Sequence, residues 1–240
     1  MILAAGLGSR LRPLTDRVPK PLVQVGGHPL IAYPLALLRA AGIGSAVINL
    51  HHLGDQIRAA LGTHAYGVDL AYSEEDPLLD TGGAVRAAAR WLAGERFVLL
   101  NSDILIDLDL RALCAAHVAY GGLATMVLRA DPETARYGAI EIDAARRIRR
   151  FLGQPPTVDT PLTPLMFSGV HVFEPRVFDY LGEGVFGITR QTYPRMLAAG
   201  ETLYGHVFDG YWRVLDTHAG LAEGRCDLAT RDCLQPRHRP

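Results

Sequence analysis

MILAAGLGSRLRPLTDRVPKPLVQV, residues 1–25, opens the chain with an apolar run over residues 1–5 that breaks at Gly6 and Gly8. Glycine lets the backbone turn sharply and approach a bulky ligand with no side chain in the way. Arg10, Arg12 and Lys20 follow at once. Bared backbone N–H groups succeeded by permanent cations suit a polyphosphate, because charge-assisted bonds to ionised oxygens are the strong ones. The stretch reads as a strand feeding a triphosphate cradle. It has neither the G-x-x-x-x-G-K-[ST] of a P-loop nor the third glycine of a dinucleotide fingerprint.

Outward from this loop the chain alternates strand and helix. Residues 29–41 are Leu/Ala-rich, end at Gly42 as a helix with a glycine stop does, and carry Pro34 as a candidate kink. Residues 46–50 (AVINL) read as a buried strand, 54–61 as a helix and 68–72 as a strand. Asp80-Thr81-Gly82-Gly83 forms a turn that feeds a helix over 84–92, and the apolar strand 97–100 runs straight into Asn101-Ser102-Asp103. Such repetition predicts a parallel sheet covered on both faces. After a helix over 110–120 and a strand over 124–128, two strands at 138–142 and 146–151 joined by a tight turn, with another at 166–173, predict a second, more antiparallel layer. Residues 154–164 hold four prolines and predict a loop suited to closing over a site. Helices near 175–181 and 189–199, strands over 202–208 and 211–215, and a helix over 218–228 complete the pattern, and residues 231–240 read as a frayed tail.

Composition narrows the function. With 240 residues, 49% of them apolar, the chain can bury a large core. A net charge of −1 without a basic stripe argues against nucleic acid as a partner. No apolar run approaches the eighteen or so residues of a membrane helix, and no charged segment precedes the first apolar run, so a cytoplasmic location is expected. Cys114, Cys226 and Cys233 are an odd, widely spaced set that reads as free thiols. His51, His52 and Asp55 read as a helix-entry element, since adjacent residues at a strand end point to opposite faces.

Leu3-Ala4-Ala5-Gly6-Leu7-Gly8-Ser9-Arg10-Leu11-Arg12-Pro13-Leu14-Thr15, followed by Pro19-Lys20-Pro21-Leu22, fills every fixed position of the signature L-A-A-G-x-G-x-R-[LM]-x-P-L-T…P-K-P-L. The chain thereby resembles the sugar-1-phosphate nucleotidylyltransferases over about residues 1–224. The resemblance implies an α/β fold, a Rossmann-like mostly parallel mixed sheet flanked by helices with a small β-rich sugar lobe. It implies one domain over 1–230, the nucleotide part about 1–130 and the sugar part about 131–230. It further implies that the loop backbone, Leu3 to Ser9, wraps a nucleoside triphosphate, that Arg10 grips its outer phosphates, and that Lys20 lies near the attacked phosphate. Attack at the α-phosphorus spreads negative charge and expels pyrophosphate, so fixed cations and Mg²⁺ lower the barrier. A sugar phosphate with a second pKa of about 6 is already anionic at neutral pH, and no general base is required.

Asp103 stands at the carboxyl end of an apolar strand, where open α/β sheets bind ligands, and Ser102-Asp103 fits the family's metal-ligating pair. Leu79-Asp80-Thr81-Gly82-Gly83 resembles the segment that backs the base, with Glu75 or Asp80 as acceptors for a base N–H. Tyr137-Gly138 and Ser168-Gly169 match the places where the family cradles the sugar. Two departures stand out. The family's F-x-E-K-P reads Phe151-Leu152-Gly153-Gln154-Pro155 here, without its charged pair. The second metal aspartate of W-x-D-[VIL]-G-T is replaced by Val214, with Asp216 at the glycine position. Asp216 either reaches the metal, being two residues along the strand, or caps the helix at Thr217. The expected activity is Mg²⁺-dependent transfer of a nucleoside monophosphate from a triphosphate to a sugar 1-phosphate, by a monomer or homo-oligomer. GTP with mannose or heptose 1-phosphate is favoured, as in the guanylyltransferases of cell-envelope polysaccharide synthesis. The alternatives are uridylyl transfer to an amino-sugar 1-phosphate and a non-catalytic sugar-nucleotide-binding subunit. Compact members of the family lack a C-terminal β-helix, and 240 residues leave no room for one. Only three residues precede the loop, a short first strand for a central position, so the natural chain is expected to start upstream.

Overall fold

The structure, a computed structural model, describes residues 1–240 apart from the side chains of Arg136 and Tyr137. The chain forms two compact units, the first of Met1–Leu78, Leu100–Arg111 and Gly210–Pro240, the second of Leu79–Leu99 and Ala112–Asp209.

In the first unit Ile2–Leu3 runs parallel to Ser45–Leu50 on one side and to Leu100 and Asn101 on the other. Ser45–Leu50 is parallel to Val68–Glu74, and the short edge strand His64–Ala65 is antiparallel to the latter. The carboxyl ends of these strands lead directly into Ala4, Ser102-Asp103 and Glu75. The helix Ala32–Ala40 takes Pro34 in its first turn, where the missing N–H has no carbonyl to meet, so the candidate kink falls where a proline costs nothing. It ends with Gly42 at φ +79°, and the Gly42 and Ile43 N–H groups close back onto Arg39 and Leu38, a glycine-terminated stop as the sequence predicts. An antiparallel pair, Ile104–Ile106 with Trp212–Val214, completes the unit beside the helix His218–Thr230.

The second unit is mixed. Ala124–Arg129 is parallel to Leu203–Val207 and antiparallel to Thr163–Phe173, which in turn pairs with Ile140–Ile142, and that strand with Ile148–Phe151. The α/β architecture with a mixed sheet and a more antiparallel second part is therefore as expected. A two-residue turn, Leu152-Gly153, with φ of +50° and +83°, closes the end of Ile148–Phe151, and Phe151 and Gln154 exchange backbone hydrogen bonds across it. The region expected as one helix over 189–199 is a π-helical turn, Ile188–Thr192, followed by Tyr193–Ala198. His171 is buried beside Tyr193, whose hydroxyl hydrogen-bonds its Nδ1 at 2.9 Å.

Two expectations are corrected. Asp80-Thr81-Gly82-Gly83 is not a turn ahead of a helix but the first turn of the helix Asp80–Ala87, because the Gly82 and Gly83 N–H groups find an acceptor in the Phe186 carbonyl. Residues 231–240 are not frayed. Leu234 is 2% exposed in the core cluster with Tyr33 and Leu221, Pro236–His238 forms a 3-10 turn, and His238 Nδ1 lies 2.6 Å from Asp107. Arg237 pairs with Asp109, and Arg39 donates to the Arg239 carbonyl.

Because Leu234 is a core residue, Leu234→Ala should lower the urea unfolding free energy by about 2–5 kcal/mol; a change within about 0.5 kcal/mol, as for a surface site, would show the tail undocked. Burial lowers the His171 pKa to about 3, against about 6.5 in an unfolded chain. The unfolded state thus takes up a proton that the folded state refuses, so this contribution to stability is complete above pH ~6.5 and is lost as pH falls toward 3. Burial likewise lowers the His117 and His206 pKa values, adding to the slope. NMR titration should find the His171 ring neutral at about pH 4.5 while stability declines, and a ring titrating near 6.5 would contradict its burial.

Candidate functional site

The opening loop is built on its own glycines and on a hydrophobic floor. Gly8 sits at φ +63°, and a Cβ there would lie 2.8 Å from the Thr15 methyl, so only glycine fits the turn. Thr15 Oγ1 donates to the Gly8 carbonyl at 2.9 Å, and His52 Nε2 donates to the Thr15 carbonyl at 2.9 Å. His52 is thus a strut under the loop, in keeping with the helix-entry reading of that pair, while His51 Nδ1 donates to the Glu75 carbonyl. A Cβ on Gly6 would meet nothing within 4 Å, which leaves the loop open on that side. Leu11, Val23 and Val25 of the loop region are buried in one cluster with Leu105 and Leu215.

Two cations of the loop region pair with two carboxylates. Lys20 Nζ lies 2.5 Å from Asp103 Oδ2, and Arg10 Nη1 lies 2.6 Å from Asp216 Oδ2. The Lys20–Asp103 pair is largely enclosed, with the side chains 12% and 24% exposed, whereas Arg10 is 65% exposed over a nearly buried Asp216. The carboxylate strands are joined directly, since the Leu215 N–H donates to the Asp103 carbonyl at 2.8 Å. Behind them Arg213 and Tyr211 both donate to Asp227, which fixes the Trp212–Val214 strand to the helix His218–Thr230. The cap of that helix is the Thr217 hydroxyl, which accepts from the Gly220 N–H at 3.1 Å. Asp216 is therefore not spent on capping and faces a cation instead.

Asn49, which carries no motif, turns out to organise the floor of the loop. Its Oδ1 accepts from the Ala4 N–H at 2.7 Å and its Nδ2 donates to Glu75 Oε1 at 2.7 Å, all three groups being buried. It ties the loop entry to the residue predicted to read the base. The signal available in the sequence was one polar residue inside the apolar run AVINL.

The remaining predicted residues are placed as follows. Leu3, Ala4 and Ala5 form the strand end and loop entry, with Ala4 and Ala5 buried, and Ser9 begins the 3-10 turn Ser9–Leu11 that carries Arg10. In the second unit, Asp80 is exposed at φ +59°, with Oδ1 accepting from the Thr81 N–H, while the Thr81 hydroxyl accepts from the Ile188 N–H. Gly82 and Gly83 direct their N–H groups to Phe186. The side chain of Tyr137 lies outside the described residues. Gly138, at φ +92°, leaves room for Leu152 Cδ2, which a Cβ would approach to 2.4 Å. Ser168 is 1% exposed and donates to the Val127 carbonyl, and Gly169 lies at φ +93° where the strand register shifts.

Among the described residues no group of three or more His, Cys, Asp or Glu side chains could hold a metal ion. The donors on offer are the hard carboxylate oxygens of Asp103 and Asp216, which suit a magnesium ion that completes its shell with phosphate oxygens and water. The chemistry of that donor set fits such an ion. Among the described residues no helix is long and apolar enough to cross a membrane.

Residues 1–231 match the family model described as nucleotidyl transferase. The UTP–glucose-1-phosphate uridylyltransferase of Synechocystis sp. is 31% identical over 228 residues, which cover 88% of this chain and 58% of that protein. The mannose-1-phosphate guanyltransferase of Pichia angusta is 32% identical over 232 residues, covering 94% and 63%. The chain thus spans about three fifths of the length of these relatives. The crystal structure of HddC from Yersinia pseudotuberculosis complexed with GMP-PN shares the fold, with a TM-score of 0.77 at 19% identity over 94% of this chain and 97% of that one.

Removal of Asn49 takes an acceptor from the buried Ala4 N–H and a donor from Glu75. Asn49→Ala should therefore cost about 1–3 kcal/mol in urea unfolding, and an unchanged midpoint would show that the loop entry does not depend on it.

Proposed function

Since the chain belongs to the nucleotidyl transferase family, we propose that it transfers a nucleoside monophosphate from a nucleoside triphosphate to a sugar 1-phosphate. The phosphate oxygen of the sugar attacks the α-phosphorus, the bond to the bridging oxygen of the β-phosphate breaks, and pyrophosphate leaves. GTP with mannose 1-phosphate or a heptose 1-phosphate is the favoured pair, and the mannose-1-phosphate guanylyltransferases among the relatives support the first of these. A uridylyl reading is supported by the Synechocystis relative.

The observation that carries the proposal is the pairing of Lys20 with Asp103, just past the carboxyl end of a parallel strand, and of Arg10 with Asp216, just past the antiparallel strand Trp212–Val214. Lys20 is largely enclosed and held by its pair with Asp103, so its charge is already in position when negative charge grows on the phosphoryl oxygens. Arg10 is exposed and reaches outward, as suits a group that holds leaving phosphates and then lets them go. Asp103 and Asp216 would hold Mg²⁺, which when bound neutralises charge on the triphosphate oxygens. Glu75, fixed by Asn49, would accept from the base, and the Gly169 backbone would admit the sugar ring.

Pyrophosphate release measured with GTP, UTP, CTP, ATP and dTTP against a panel of sugar 1-phosphates tests the reading. Turnover is expected with one pair, lost on chelation by EDTA and restored by Mg²⁺. Lys20→Met and Asp103→Asn should each lower kcat by about 10²–10³. If Asp216→Asn leaves Mg²⁺-dependent turnover intact, Asp216 is no metal ligand. Binding of a nucleotide sugar without turnover of any pair would make the chain a regulatory subunit instead.

A further inference from the structure

The first turn of the helix Asp80–Ala87 is bound along its length by one segment of the same unit. The N–H groups of Gly82 and Gly83 donate to the Phe186 carbonyl at 2.8 and 3.2 Å, the Phe186 N–H donates to the Leu79 carbonyl at 3.2 Å, and the Ile188 N–H donates to Thr81 Oγ1 at 2.9 Å. The fit leaves no spare space. A Cβ on Gly82 would lie 2.3 Å from the Phe186 ring, and one on Gly83 would lie 2.5 Å from the Gly184 carbonyl oxygen. Phe186 is itself buried. These two glycines therefore serve close packing and the capping of a helix start, and their N–H groups are not free for a ligand.

The same segment runs on to the strand expected to meet the sugar. Gln191 Oε1 accepts from the Gly187 N–H at 2.6 Å, and Ile188–Thr192 is a π-helical turn, a rare form that recurs at functional positions. It delivers Tyr193, fully buried, whose hydroxyl meets His171 Nδ1 at 2.9 Å and whose ring stacks on Phe151 at 5.0 Å between centroids. His171 lies two residues beyond Gly169, in the stretch where the strand register shifts.

We propose that residues 186–193 are a positioning brace that couples the turn at 79–83 to the strand at 168–171, so that a ligand ordering one end lowers the cost of ordering the other. Phe186 and Tyr193 are its positioning residues. The proposal rests on the assignment of the base to 79–83 and of the sugar to 168–169. Its physical basis is that a segment tied at both ends by buried hydrogen bonds loses mobility as a unit, and a second ligand then meets a smaller entropy cost.

Hydrogen–deuterium exchange on the full chain tests it, with GTP·Mg²⁺ or UTP·Mg²⁺ and without sugar phosphate. In the wild type, the bound nucleotide should slow exchange by about fivefold or more at residues 82–83 and also over 186–193 and 170–172. Phe186→Ala should keep the protection over residues 4–10, which reports bound nucleotide, and lose it over 188–193. Phe186→Leu, which refills the space over Gly82, should restore it. If Phe186→Ala fails to fold, Tyr193→Phe serves, with protection expected to reach residue 191 and no longer 170–172. Protection confined to 79–83 in the wild type, or transmitted equally by the variants, overturns the brace. Absence of protection even over residues 4–10 with both nucleotides overturns the functional reading and the brace with it.

Discussion

A patch of carbon sets the geometry of the charged site. Leu11, Val23 and Val25 from the loop region pack with Leu105 and Leu215, which lie next to the two aspartates or two residues away in the chain. Full burial of one such leucine is worth roughly 1.5–3 kcal/mol, far more than an exposed ion pair such as Arg10–Asp216 contributes by itself. The ion pairs therefore follow from the packing and not the reverse. Loop and strands share one cluster, so Lys20 and Arg10 arrive opposite Asp103 and Asp216 as the core closes.

This division of labour explains what could be read in advance. Runs such as AVINL and FVLL, with a glycine stop at Gly42, are local signals of hydrophobic period and helix end, and they place the strands Ser45–Leu50 and Phe97–Asn101 and the helix end correctly. The loop signature is legible because backbone and charge requirements fall on consecutive residues. Partners that are remote in sequence were hidden. Asn49 acts through one amide that spans Ala4 and Glu75. The Phe186 carbonyl, which decides where the helix at Asp80 begins, is a main-chain atom and has no side-chain signature at all. Leu234 is a lone apolar residue in a charged tail, and its burial depends on a pocket formed by Tyr33 and Leu221 far away in the chain.

The choice left open for Asp216 shows how a small local bond can decide a larger question. An aspartate before a helix is a good cap, and so is a threonine. Here the Thr217 hydroxyl takes the Gly220 N–H, which leaves the Asp216 carboxylate directed at Arg10. A shift of the acid by two positions along the chain, relative to the family pattern, thus still ends beside a loop cation.

The turn at Leu152-Gly153 has a bearing on the missing charged pair. Family members often place a glutamate where Gly153 stands, yet Gly153 lies at φ +83° in a two-residue hairpin turn that Phe151 and Gln154 close on both sides. A glutamate there would hold a left-handed backbone at a cost of roughly 1–2 kcal/mol. Point substitution alone is thus a poor route to a Glu-Lys pair at this place. The hairpin would have to lengthen first, so that an acid could stand there without a left-handed backbone.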